Sequence, residues 1–312
     1  MNVHVFALSF ILALVPVKNS PCFGEEECLV FTAAMTDSTT ASGEGGVVDY
    51  TFGTFSNAVS MSAASDGNLF ILDEGNNQLL EYAPNGSLLK SIGGRGWGDL
   101  EFDSPTDVSV NFALDVYVTD YNNRRVQRFD RRMNLVQSIN ADNILPSLNG
   151  MFYPRATALS PQGELFVVES DGRRILKFNP AQELEREFGE FNAGAGTLVN
   201  PRDIAVTPED KVIVLDEHRI VEFDTYGNYL YAFRLDSLAV PLSISLVPNG
   251  VLVVDTNRVI LYSLDGVKKL EIDRKLIIGE EPIEEFRDAV ATGSKLFILT
   301  LHTLVVVEVN PR

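Results

Sequence analysis

A short apolar run closing on an acid recurs along this chain, and its spacing constrains the fold more than any other feature. The runs are LFILD ending at Asp73, VYVTD at Asp120, LFVVE at Glu169, VIVLD at Asp216 and LVVD at Asp255. A degenerate sixth copy, LFILT, ends at Thr300, so successive anchors lie 47, 49, 47, 39 and 45 residues apart. The segments are short, β-branched and punctuated by Gly, Pro and Asn, which is strand chemistry. Six copies at this period predict a closed ring of small sheets and exclude a stack of helical pairs.

Each copy reads as four strands. The first follows a proline, as in PTDVSV from Pro105, PRATAL from Pro154, PRDIAV from Pro201 and PLSISL from Pro241. Alternation places Val108, Val110, Ile204 and Val206 on one face. The second strand carries the acid. The third tends to end in an aromatic: Tyr82, Phe129, Phe178, Phe223 and Tyr262, with Val307 in the sixth copy. The fourth includes SLLKSIG, ELEREFG and NYLYAF. Copy six stops at Arg312, just after its third strand, while VVDYTFG (Val47 to Gly53) has fourth-strand character. The expected fold is therefore all-β: a six-bladed β-propeller of four antiparallel strands per blade, closed by an N-terminal strand that completes the last blade. Closure of this kind removes the free sheet edge.

The stretch from Ile92 to Val110, IGGRGWGDLEFDSPTDVSV, followed by DVYVTDYNNRRVQRFD (Asp115 to Asp130), closely resembles the NHL repeat. A Gly-rich loop precedes Pro-x-Asp, and the second strand ends Asp-x-x-Asn-x-Arg at Asp120, Asn123 and Arg125. Blade three keeps Glu169 and Arg174, and blade four begins GEFNAGAGTLVNPRDIAV (Gly189 to Val206). The resemblance weakens in blades one, five and six.

The ends differ in composition. Phe6 to Val17 is an apolar run too short to span a bilayer and broken by Pro16, as in the core of a secretory signal peptide. Residues 1–24 are read as that signal, 25–46 as a flexible Ser/Thr/Gly/acid linker, and 47–312 as the propeller. The expected location is secreted or periplasmic, with no stable membrane insertion after cleavage. Cys22 and Cys28, the only two cysteines, lie near that boundary, so the ring does not depend on disulfides. Net charge is -18, with 43 acids against 25 Lys and Arg. Scattered cations in an acidic chain argue against a nucleic-acid partner.

Two constellations could carry function. One is the acid–arginine set at the ends of the second strands: Asp73, Asp120, Glu169, Asp216 and Asp255 with Arg125, Arg174, Arg219 and Arg258. Repetition in nearly every blade favours a structural role, because a site usually breaks symmetry. The other follows the repeat's proline, where the propeller architecture aims side chains at the channel mouth. Those positions are Val59, Thr106, Arg155, Arg202, Leu242 and Arg287, followed in three blades by Asp107, Asp203 and Asp288. The arginines could bind an anion, or pair with the aspartates as a ring of ions. Trp97, the sole tryptophan, is read as a packed loop anchor in preference to an exposed contact.

No catalytic residues are assigned. His218 and His302 are too few for a zinc site, and no nucleophile elbow or Walker loop occurs. No cofactor is expected, although a divalent cation in the channel stays open. The function expected is a secreted, non-catalytic binding module for a protein, peptide or small anionic ligand. The alternative, drawn from the lactonases and lyases that share this architecture, is a metal-dependent hydrolase or lyase acting at the channel mouth.

Overall fold

The computed structural model describes residues 48–111, 115–140, 152–235, 238, 240–248, 250–278 and 282–308. The segments read from sequence as signal and linker, and both cysteines, lie outside the described residues. Within them the chain forms six four-stranded antiparallel sheets. Five follow simple sequence order. The sixth is ordered with Val48–Phe52 against Leu304–Glu308, then Lys295–Thr300 and Phe286–Thr292. The N-terminal strand thus supplies the outer strand of blade six, with Val48 opposite Val307 and Phe52 opposite Leu304.

The first strands of the blades line the centre. They are Ala58–Ala63, Pro105–Val110, Pro154–Leu159, Pro201–Val206, Ser243–Val247 and Phe286–Thr292. Each touches the first strand of the blade before and the blade after, so the six close a ring around a channel. The second strands are apolar on both faces because a blade lies on each side. Leu69–Asp73, Val116–Asp120 and Leu165–Glu169 are buried at every position. In blade five the second strand is Gly250–Val254, and Asp255 sits one residue beyond it.

Six apolar clusters fill the six gaps between blades. Phe166 and Val168 meet Val212 and Val214 between blades three and four. Leu69 and Ile71 meet Leu304 and Val306 across the closure. The aromatic ending a fourth strand packs on the next blade: Phe52 on Tyr82, Phe188 on Phe223 and Phe233 on Tyr262, with ring centroids 5.3, 5.1 and 5.8 Å apart.

Candidate functional site

In every blade the chain crosses from the fourth strand to the next first strand at the same end of the ring. The turns between second and third strands lie at that end as well. This loop face holds most of the residues singled out from the sequence.

The acids ending the second strands are 0 to 1% exposed. Each turns its oxygens to backbone amides that would otherwise be orphaned. Asp73 accepts from Ser56 and Asn57 N–H at 2.9 and 2.8 Å. Asp120 accepts from Asp103 N–H at 2.8 Å. Glu169 accepts from Tyr153, Asp171 and Gly172, and Asp216 from Val199 and Asn200. Asp255 accepts from the N–H groups of Asn257 and Arg258 in its own turn. Arg125, Arg174, Arg219 and Arg258 pair with Asp120, Glu169, Asp216 and Asp255 at 2.8, 3.3, 2.7 and 3.1 Å. Arg125 also donates to the carbonyls of Trp97, Gly98 and Glu101, and Arg219 to that of Thr197. In blades one to four these groups tie the loop leaving one blade to the strand beginning the next.

Arg125 fixes the backbone at Trp97 but leaves its ring free. Trp97 is 78% exposed, so it is not the packed anchor its surroundings suggested. Phe191, in the equivalent loop between blades three and four, is 86% exposed. Ile278 and Val240, from two further loops of this face, are also exposed.

At the mouth, Thr106, Arg155, Arg202 and Arg287 each occupy the extra residue of a β-bulge in the first strand, as does Val59. A bulge removes its residue from the ladder and re-aims its side chain. The three arginines do not pair with the three aspartates. Among the described residues no carboxylate lies within ion-pairing distance of Arg155, Arg202 or Arg287. Arg202 donates to the carbonyl of Pro241 at 3.2 Å. The Nε atoms of Arg202 and Arg287 are buried without an acceptor. Burial, then the neighbouring charge of Arg202, lowers the pKa of Arg155 below the ordinary arginine value.

The aspartates, one residue on, bind blades together instead. Asp107 accepts from Thr157 N–H at 2.8 Å and Ser60 Oγ at 2.8 Å. Asp203 accepts from Ile244 N–H at 2.7 Å and Asp288 from Met61 N–H at 2.8 Å. Each reaches into the following blade, and the acids alternate with Ser60, Ala156 and Ser243 at the same position of blades one, three and five. Loss of water raises all three pKa values. Asp203 goes well above the ordinary value because Asp107 and Asp288 also repel its charge. Asp288 is pushed up to about 7. Sequence alone did not reveal that these carboxylates serve amides of the next blade; their recurrence in alternate blades was the available signal.

Among the described residues no three His, Cys, Asp or Glu side chains are grouped as a metal's donor set. His302 Nδ1 lies 2.8 Å from Glu284.

Comparison with known proteins agrees with this architecture. Residues 102–129, which span the first three strands of blade two, match the NHL repeat model. The chain is 30% identical over 137 residues to Protein brain tumor of Drosophila melanogaster, covering 43% of this chain and 12% of that protein. It is 30% identical over 116 residues to the human E3 ubiquitin-protein ligase NHLRC1, covering 36% and 29%. The chain thus spans less than a third of the length of each of these relatives. A catalytically inactive virginiamycin B lyase from Staphylococcus aureus, solved with quinupristin, superposes with a TM-score of 0.60 at 12% identity, covering 80% of this chain and 94% of that one. That likeness is one of fold. The matched repeat in blade two and the six-bladed ring are what the chain has in common with NHL-repeat proteins.

Proposed function

We propose that the chain is a non-catalytic protein-binding module whose partner docks on the loop face. The observation that carries this reading is the exposure of Trp97 and Phe191 on loops whose backbones are held in place. An exposed aromatic on a fixed backbone loses little freedom on binding, and such residues commonly dominate interface energetics. Similarity to NHL-repeat proteins supports an interaction role. We also propose export to the periplasm or cell exterior, on the apolar run at Phe6 to Val17; N-terminal sequencing of mature protein from that compartment tests it.

The docking test compares partners cross-linked by the intact protein with those captured by a Trp97→Ala, Phe191→Ala double variant. A Tyr229→Ser variant, altered on the outer rim, serves as control. Partners held by wild type and the rim variant, and lost by the double variant, support the loop face. Unchanged capture by the double variant overturns it.

A further inference from the structure

We propose that the mouth of the channel is a binding site for a small oxyanion, held by Arg155, Arg202 and Arg287. This site lies at the centre of the face read above as the docking surface, but it stands on separate observations.

The first is charge without a direct ion pair. Three guanidinium groups occupy the same bulge position in blades three, four and six, and none is within ion-pairing distance of a described carboxylate. By contrast, the arginines that begin the third strands, Arg125, Arg174, Arg219 and Arg258, each sit on a buried acid. The contrast lies within one chain and one repeat. The second is orientation of the nearest acids. Asp107, Asp203 and Asp288 follow one residue behind, yet their oxygens face amides of the next blade. One oxygen of each is committed to joining blades, and none hydrogen-bonds to these arginines, although the charge of Asp203 still attracts Arg155 at longer range.

The third observation is unmet hydrogen bonding. Buried Nε–H groups on Arg202 and Arg287 have no acceptor, and a buried donor left unpaired is costly. Arg155 is partly buried beside the like charge of Arg202, an arrangement that an anion between them would relieve. Arginine presents paired N–H donors that match the two oxygens of a carboxylate or phosphate. The remaining mouth positions, Val59, Thr106 and Leu242, carry no charge. The mouth is therefore basic along the arc from blade three to blade six and neutral across blades one and two. A carboxylate or phosphate attached to a compact body fits that division.

The test is titration calorimetry of the purified chain with citrate and, separately, inorganic phosphate. Both anions also stabilise proteins by exclusion from their surface, so saturable heat is the readout, not melting temperature. The expected result is saturable binding of one anion per ring, and the anion that binds more tightly identifies the source as carboxylate or phosphate. Arg155→Gln and Arg287→Gln should each weaken it by about tenfold or more, the loss of a charged hydrogen bond. Arg95→Gln, at an exposed loop arginine, should leave it unchanged. Arg155→Lys keeps the charge without the fork, and is the variant to use if Gln at this position disturbs folding. The Trp97→Ala, Phe191→Ala variant should bind the anion as wild type does, so failure of the docking reading would leave this site standing. Absence of saturable binding for both anions, or binding indifferent to Arg155 and Arg287, overturns the proposal.

Discussion

The three channel aspartates have carboxyl pKa values raised by burial, and Asp288 is shifted into the neutral range. Asp288 is 5% exposed and holds the amides of Met61 and Ala289. Its pKa rises from 3.8 to about 7 because burial penalises its charge. A raised carboxyl pKa means the native state keeps a proton that the unfolded chain has released. Below 3.8 both states are protonated and nothing is lost. Between there and about 7 stability falls as pH rises, and above 7 the loss levels off. For Asp288 the full loss is roughly 4 kcal/mol, taken as an order of magnitude. Asp107 and Asp203 shift in the same direction. The protein is therefore expected to resist urea better at mildly acidic pH than at mildly alkaline pH. Asp288→Asn should flatten that dependence. The amide nitrogen cannot accept a backbone hydrogen bond, which costs the variant a pH-independent amount, so the slope of unfolding free energy against pH is the quantity to measure. An unaltered slope would show that Asp288 ionises normally.

At the scale of strands and turns, adjacent blades lock through a ring and a glycine. Gly86, Gly227 and Gly266 occupy the turn before the fourth strand, and a methyl group there would meet Phe52, Phe188 and Phe233 at 2.8, 2.6 and 2.7 Å. Gly227 also has φ of +80°, whereas Gly163, at +83° in another turn, has open space around it. Gly163→Ala should cost only the backbone conformation, about 1 kcal/mol. Gly227→Ala adds the collision with Phe188, and about 1–3 kcal/mol more is expected. Chemical denaturation of both variants separates the two costs, and equal losses would mean that Phe188 moves aside freely. Much of this scale was legible in the sequence. The acid anchors, the closing aromatics and the late-strand character of residues 47–53 reflect local patterning, which sequence carries directly. The mouth was only half legible. The repeat identifies the residue after the proline as one aimed at the mouth, but a bulge takes it out of the ladder, and no pattern says what its side chain will meet there. Arg155 and Asp107 could therefore be named without showing that one makes no direct ion pair and the other binds the next blade. Trp97 misled for a related reason: its loop is anchored through carbonyls gripped by Arg125, so anchoring does not require burying the indole.

For the whole molecule, the ring is only as sound as its one non-consecutive joint. Five blades assemble from neighbouring segments, but blade six needs Val48 to find Val307 across nearly the whole chain. Long-range pairing of this kind forms late and slowly. Once made, it covers Leu304 and Val306, which are fully buried, with Tyr50 and Phe52 packed against their cluster. Lys295 adds an ion pair to Asp49 at 2.9 Å and sits over the Tyr50 ring. A chain beginning at Thr54 would lose this strand. Leu304–Glu308 would become an open edge beside uncovered apolar side chains, a template for pairing with other chains. Such a chain should aggregate or melt well below one beginning at Val47, as read by light scattering and circular dichroism. A peptide of residues 47–53 added in trans should restore a monomeric ring, because the groove between Leu304–Glu308 and blade one is otherwise complete. Equal melting of the two chains would mean that five blades and three strands suffice, and that the N-terminal strand decorates the ring without closing it.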